Sequence, residues 1–290
     1  MTENTDGRDD ARVVALTEAH LQGCLALSRS ANWNQNEADW RLMLGFGRGW
    51  GISTADGILA ATTLALPYGR DFAWLAMVLA LPAQRRRGYA SRLLRVALAD
   101  MQARKRVSLL DATPAGHEVY IQEGFRDFWG FKRFSLSDLQ NLNSANKGVQ
   151  PLQKDHWPHV LALDAAAFGA SREVVLRNLA ARQPKAALVA ERNGGIGGFV
   201  LAREGREAMQ IGPLVARDAG TARDLFAAAL GKVAGAVYAD IADHAAPLQA
   251  WAREQGFAIQ RPFTRMAHGP KGYAPGDASL VYCPAGPELG

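Results

Sequence analysis

The residues best suited to chemistry lie between Val78 and Leu94. An apolar run over 74–81 reads as a buried strand, and Pro82, with no N–H to give a ladder, ends it. Arg85, Arg86 and Arg87 follow, then Gly88. Beyond Gly88 the residues Ala90, Leu93, Leu94, Ala97, Leu98 and Met101 recur at helical spacing, with Arg92, Arg95 and Asp100 on the opposite face. A strand, a basic loop with one glycine and a helix together make a phosphate site. The first helical turn offers unpaired N–H groups and the positive end of the helix dipole. Gly88 and the small Ala90 let the backbone approach a ligand, and the arginines add charge. The same residues also suit a solvated basic loop before an ordinary surface helix.

The elements that would position this loop can be read on both sides of it. Strands are predicted over 13–16, 49–53, 58–66, 72–81, 107–111 and 125–136. The pair 49–53 and 58–66 is joined through Asp56-Gly57, a hairpin signal. Helices are predicted after Thr17, after Asn36 and after Thr113-Pro114, each opening on a capping residue. The polar segment 138–148 reads as a linker. After it the pattern restarts. Val149-x-x-Leu152-x-x-x-His156 repeats Val13-x-x-Leu16-x-x-x-His20, and Leu161-Ala162-Leu163 repeats Leu25-Ala26-Leu27. Gly256-Phe257-x5-Phe263-x-Arg265 repeats Gly124-Phe125-x5-Phe131-x-Arg133. Ordered matches at both ends of two halves indicate a tandem duplication. The expected fold class is α+β: two domains, 1–138 and 149–290, each a mixed, mostly antiparallel sheet flanked by helices.

Composition narrows the function classes. The chain has 290 residues, 48% hydrophobic and 21% charged, enough to bury a core. Its net charge of +5 is scattered apart from two short basic clusters. No basic stripe interleaved with aromatics points to nucleic acid. Cys24 and Cys283 are too few and too far apart for a disulfide framework, which suits a reducing compartment. The polar, acidic stretch 1–10 lacks the features of a signal peptide, and no apolar run reaches the ~18 residues that span a bilayer. The expectation is a soluble, cytoplasmic protein. No metal is expected, because His156-x-x-His159 lacks a third ligand. There is no G-x-x-x-x-G-K-[ST], G-x-G-x-x-G or G-x-S-x-G.

Arg85-x-x-Gly88-x-Ala90 behind a strand resembles the acyl-CoA pyrophosphate loop, [QR]-x-x-G-x-[GA], of the GNAT superfamily of N-acyltransferases. Tyr120-Ile-Gln-Glu-Gly124-Phe125 resembles the same family's Tyr-x-x-x-Gly-Phe. The stretch Leu110-Asp111-Ala112-Thr113-Pro114-Ala115-Gly116, with Trp74-x-x-Met77, resembles a bacterial tandem branch of that superfamily. The resemblance implies acetyl transfer from acetyl-CoA, a co-substrate, to an amine acceptor, most simply a small molecule, in a ternary complex. It implies that Arg85, Arg86, Arg87, Gly88, Tyr89, Ala90 and Ser91 hold the pyrophosphate. Val78, Leu79 and Ala80 would hold the pantetheine and polarise the thioester, and Tyr120 would protonate the leaving thiolate. Thr113 stands where many members have a pantetheine-binding asparagine. Asp111 could serve as base, anchor the amine or cap the following helix. Trp33, Gln35, Trp40, Tyr68, Asp71 and Trp129 are candidate acceptor-side residues.

In the second half Gly220-x-Ala222 occupies the place of the loop, but the arginines are gone, Asp218 stands where phosphate would go, and Ala252 replaces Tyr120. That half is expected to lack a working CoA site and to shape the acceptor cleft. Two other readings stay open at this point: a non-catalytic acyl-CoA sensor, and a transferase acting on proteins.

Overall fold

The structure, a computed structural model, describes residues 11–139, 148–192, 194–270 and 273–290. The first half runs β1 (Arg12–Ala15), α1 (Leu21–Ser30), α2 (Glu37–Phe46), β2 (Arg48–Ser53), β3 (Leu59–Tyr68), β4 (Phe72–Ala80), α3 (Tyr89–Ala103), β5 (Val107–Ala112), α4 (Pro114–Gln122) and β6 (Arg126–Leu136). The second runs β7 (Val149–Pro151), α5 (Trp157–Phe168), α6 (Glu173–Arg182), β8 (Leu188–Arg192), β9 (Gly195–Arg203), β10 (Met209–Ala216), α7 (Ala219–Leu230), β11 (Val237–Ala242), α8 (Ala246–Glu254), β12 (Ala258–His268) and β13 (Val281–Cys283). The strands and helices expected in the first half all form, with small displacements at their ends. Most of the expected linker, 140–147, and the expected frayed end, 1–10, lie outside the described residues.

Local chemistry explains the boundaries. Asn36 accepts from the Asp39 N–H at 3.1 Å while Asp39 accepts from the Asn36 N–H at 3.0 Å, a reciprocal cap that starts α2. The repeated histidines do the same work at the entry to each half: His20 Nδ1 accepts from the Thr17 N–H at 3.2 Å, and His156 Nδ1 from the Gln153 N–H at 3.0 Å. The α+β class holds, with two like halves.

The halves share one sheet, in the order β1-β2-β3-β4-β5-β12-β6-β11-β10-β9-β8-β7. The last long strand of each half is exchanged. β12 pairs antiparallel with β5 of the first half, β6 pairs antiparallel with β11 of the second, and the two exchanged strands pair with each other. The repeat explains how they fit. Phe131 and Phe263, equivalent in the two copies, are register partners, and their rings stack at 5.0 Å and 12°. The equivalent arginines each cross to the other half: Arg265 makes a two-pronged pair with Asp111 at 2.9 and 3.0 Å, and Arg133 with Asp240 at 2.8 and 2.7 Å. The Arg265 guanidinium lies between the Trp74 and Trp129 rings, 4.4 and 4.3 Å from their centres.

One apolar cluster joins α1 and α2 to α5 and α6 across the two halves, through residues such as Leu27, Trp40, Trp74, Phe168, Leu176 and Phe199. On the other face, α3 packs with β4 and β5, and α7 and α8 pack with β10 and β11. Strand β4 is therefore covered on both sides, which is why it reads as an unbroken apolar run rather than an alternation.

Candidate active site

Strands β4 and β5 are parallel partners only over Phe72–Trp74 and Val107–Leu109, then diverge. A bulge on β4 helps to part them. Between Thr62↔Leu79 and Leu64↔Ala76 the strand carries one more residue than β3. Met77 absorbs it with φ +52°, a conformation that costs a non-glycine residue free energy. The Thr62 hydroxyl, donating to the Met77 carbonyl at 2.8 Å, holds it there. The alternation confirms the bulge: Phe72, Trp74 and Ala76 face one core cluster, as do Met77 and Leu79, whereas Ala73 and Leu75 face another. Beyond the bulge, the β4 edge toward β5 has no strand partner among the described residues, which leaves backbone donors and acceptors for a ligand.

A groove of about 750 Å³ follows this divergence. Val78, Leu79 and Ala80 line one wall, Asp111, Thr113 and Tyr120 another, and Arg85, Arg86 and Ala90 one end. Arg87 is exposed on the same loop, and none of the three arginines has a carboxylate partner among the described residues. Gly88 occupies the N-cap of α3 at φ +74°, with no side chain capping the first turn. A Cβ there would meet no protein atom within 4 Å, so protein packing does not demand the glycine. The Tyr89 side chain is buried in a cluster with Ile52 and Leu93, which leaves its N–H as the group near the loop. Ser91 is half-buried one position beyond Ala90 and is not a wall of the groove.

Tyr120 is half-buried, its ring edge against Phe125 at 5.8 Å, and burial holds its hydroxyl well above the ordinary phenol range. Thr113 Oγ1 accepts from the Gly116 N–H at 3.3 Å, so Thr113 rather than Asp111 caps α4. The Asp111 side chain is fully buried, and both its oxygens are engaged by Arg265. Burial pushes its carboxyl up to about 6 against the opposing pull of Arg265.

A second, narrower pocket of about 40 Å³ adjoins the groove and shares Trp33, Val78, Asp111, Thr113, Tyr120 and Arg261 with it. Gln35 reaches this pocket, whereas Trp40 and Tyr68 are core: the Trp40 indole donates to Ser28 Oγ at 2.9 Å and the Tyr68 hydroxyl to the Leu289 carbonyl at 2.9 Å. Arg133, Arg261, Phe263 and Glu288 also wall it. Three of these four come from the second half, and sequence reasoning missed them. Arg133 and Phe263 stood in the repeat motif; nothing in the sequence spacing marks Arg261 or Glu288.

The second half has the same scaffold with its slot filled. β10 and β11 pair only over Met209–Ile211 and Val237–Ala239. Beyond that point β13 pairs with β10 at Leu214 and Val215 and packs against β11. Helix α7 is capped by Asp218, which accepts from the Thr221 N–H at 2.8 Å; that N–H holds the carboxyl below its usual range. No helix among the described residues is long and apolar enough to cross a membrane.

Comparison with known proteins agrees with this duplicated geometry. Residues 15–125 match the model of the acetyltransferase (GNAT) family, and residues 160–282 match that of an acetyltransferase (GNAT) domain. The "Uncharacterized N-acetyltransferase YitH" of Bacillus subtilis is 21% identical over 84% of this chain and 87% of its own. The crystal structure of "A Putative Acetyltransferase" from Pyrococcus horikoshii superposes with a TM-score of 0.80 at 20% identity, over 100% of this chain and 99% of that one. A tandem GNAT protein from the clavulanic acid biosynthesis pathway gives 0.61 at 15% identity, over 90% of this chain and 99% of its own. With a GNAT match in each half and one fold repeated across a shared sheet, the chain belongs to the GNAT acetyltransferase family as a tandem enzyme of two GNAT domains.

Proposed function

We propose that the first half binds acetyl-CoA and transfers its acetyl group directly to the primary amine of a small molecule, and that the second half binds no CoA. The observation that carries this reading is the contrast between the two slots. The first is open from Arg85 and Arg86 to Tyr120; the second is closed by β13 and by the Asp218 cap. The donor set of the open slot fits a pyrophosphate: three guanidinium groups with no carboxylate partner among the described residues, and a helix N-terminus that none of their side chains caps. Acetyl-CoA would supply an activated acetyl thioester. Arg85, Arg86, Arg87 and the N–H groups of residues 88–91 hold the pyrophosphate. The free edge of β4 over 78–80 pairs with the pantetheine amides and steadies the thioester oxygen as it gains charge. Thr113 lends a hydroxyl to the same arm. Tyr120 keeps its proton at neutral pH and offers it to sulfur. Asp111 holds Arg265, and through it β12, against the site. The narrowness of the adjoining pocket favours a small acceptor over a protein surface.

Tyr120→Phe tests the reading. Release of the CoA thiol should fall about 100-fold or more, while acetyl-CoA affinity by calorimetry stays within about threefold. A variant as fast as the parent would remove Tyr120 from the chemistry, and a parent with no turnover but tight binding would favour a sensor.

A further inference from the structure

The segment 284–290 leaves β13 in the second half and crosses to the first, where two side chains of the first half and one of the second fasten its backbone. The Trp74 indole donates to the Pro287 carbonyl at 2.9 Å, the Tyr68 hydroxyl to the Leu289 carbonyl at 2.9 Å, and Arg172 to the Gly290 carbonyl. Between these anchors Glu288 is 3% exposed and walls the narrow pocket beside Tyr120 and the β4 bulge. Its Oε1 accepts from Arg203; its Oε2 is buried and has no hydrogen-bond partner among the described residues. Gly286, at φ +127°, lies directly against it: a Cβ there would come within 3.0 Å of both carboxylate oxygens. The charged groups around the carboxylate come from several elements: Arg203 on β9, Asp39 on α2, Arg133 on β6, Arg261 on β12 and Asp111 on β5. Asp39 is also held by Arg182 at 2.7 Å, so Arg182, Asp39, Arg203 and Glu288 form one alternating chain of charge.

The chemistry needs such a group. A lysine-like amine has a pKa of ~10.4, so only about one in a few thousand is neutral at pH 7, and the attacking nitrogen must shed a proton. Asp111 is poorly suited to take it. Both its oxygens bind Arg265, and Asp240 makes the same two-pronged pair with Arg133 at the corresponding place in the second half, where β13 fills the gap between the strands, which marks the pair as structural.

The geometry points to Glu288, delivered by the second half, as the group that receives the acceptor amine and takes its proton. This rests on the acetyltransfer reading above. As the N–C bond forms, the C–S bond breaks with its electron pair on sulfur. Glu288 Oε2 takes the proton leaving nitrogen and Tyr120 gives one to sulfur. Exchange with solvent restores both groups, and the net products are the amide and the free thiol. Burial raises the Glu288 carboxyl, with Arg203 opposing, so its basic form should be lost at a higher pH than for an ordinary glutamate.

The test compares the parent with Glu288→Gln and Glu288→Asp. Thiol release is followed against pH with spermidine, glucosamine, lysine, tyramine and hydroxylamine as acceptors, and acetyl-CoA affinity is measured by calorimetry. Glu288→Gln should lower kcat/KM about 100-fold or more and lose the acid limb of the parent's profile. Its acetyl-CoA affinity should be retained, which also shows that the variant folds. Glu288→Asp should recover part of the rate. Without any acceptor, the carbon-13 carboxyl signal missing in Glu288→Gln should titrate above the ~4.3 of a free glutamate. Equal rates and profiles for parent and Glu288→Gln would overturn the assignment alone. A parent that binds no acetyl-CoA, or releases no thiol with any of these amines, would overturn the acetyltransfer reading and the assignment with it.

Discussion

Asp240→Asn should lower the unfolding free energy by about 3–5 kcal/mol, the usual cost of leaving one member of a buried ion pair unmatched. Asp240 is fully buried, and its partner Arg133 nearly so, enclosed by the Tyr238 and Phe263 rings at 5.3 Å each. The only other hydrogen bond to the Asp240 carboxylate found among the described residues is a donation from Gln210 at 3.2 Å. The pair also crosses between halves, so the loss should be felt everywhere. Chemical denaturation should show one cooperative transition in the parent and one, displaced, in the variant, because each half's sheet is closed by the other's strand. Acetyl-CoA affinity should change little, since neither Asp240 nor Arg133 lines the open groove. Two separate transitions in the parent would contradict the structural role given to the exchanged strands.

Gly88→Asp should weaken acetyl-CoA binding by at least about 100-fold. Gly88 is the N-cap of α3, as Asp218 is of α7, so the substitution puts a carboxylate at the same helix position, here on a left-handed rather than an extended backbone. Its carboxylate would compete for the first-turn N–H groups and repel the pyrophosphate. Two unit charges 4 Å apart interact by about 4 kcal/mol near a protein surface. The positive φ adds a cost of about 1–2 kcal/mol to any side chain at 88, and Asp tolerates that conformation better than most residues. Gly88→Ala separates the two contributions: it shares the conformational cost without the charge and should lose much less affinity. Equal losses in the two variants would show that shape rather than charge governs the loop.

Much of this was legible in the sequence, for reasons that particular residues make plain. The basic loop, the helix behind it and the duplication were readable because each is a local pattern: a strand stopped by Pro82, a period change at Gly88, and the same phenylalanine and arginine recurring after Gly124 and Gly256. The strand exchange was not. β6 and β12 carry the same Gly-Phe-x5-Phe-x-Arg pattern, so either strand satisfies either edge, and only the pairs Arg265–Asp111 and Arg133–Asp240 reveal the arrangement. The closing of the second slot was half visible. Asp218 announced itself in the loop, but β13 is a three-residue strand that no periodicity distinguishes from its surroundings. Glu288 was invisible for a different reason. Its place is set by contacts more than 80 residues away in sequence, from Trp74, Tyr68 and Arg203, and spacing carries no trace of them.

Calorimetric titration of acetyl-CoA into the parent protein asks whether a duplicated fold keeps one working CoA slot. The open groove along β4 and the β13-filled slot along β10 predict a stoichiometry near one per chain, abolished by Gly88→Asp. A stoichiometry near two, or binding that survives Gly88→Asp, would contradict it.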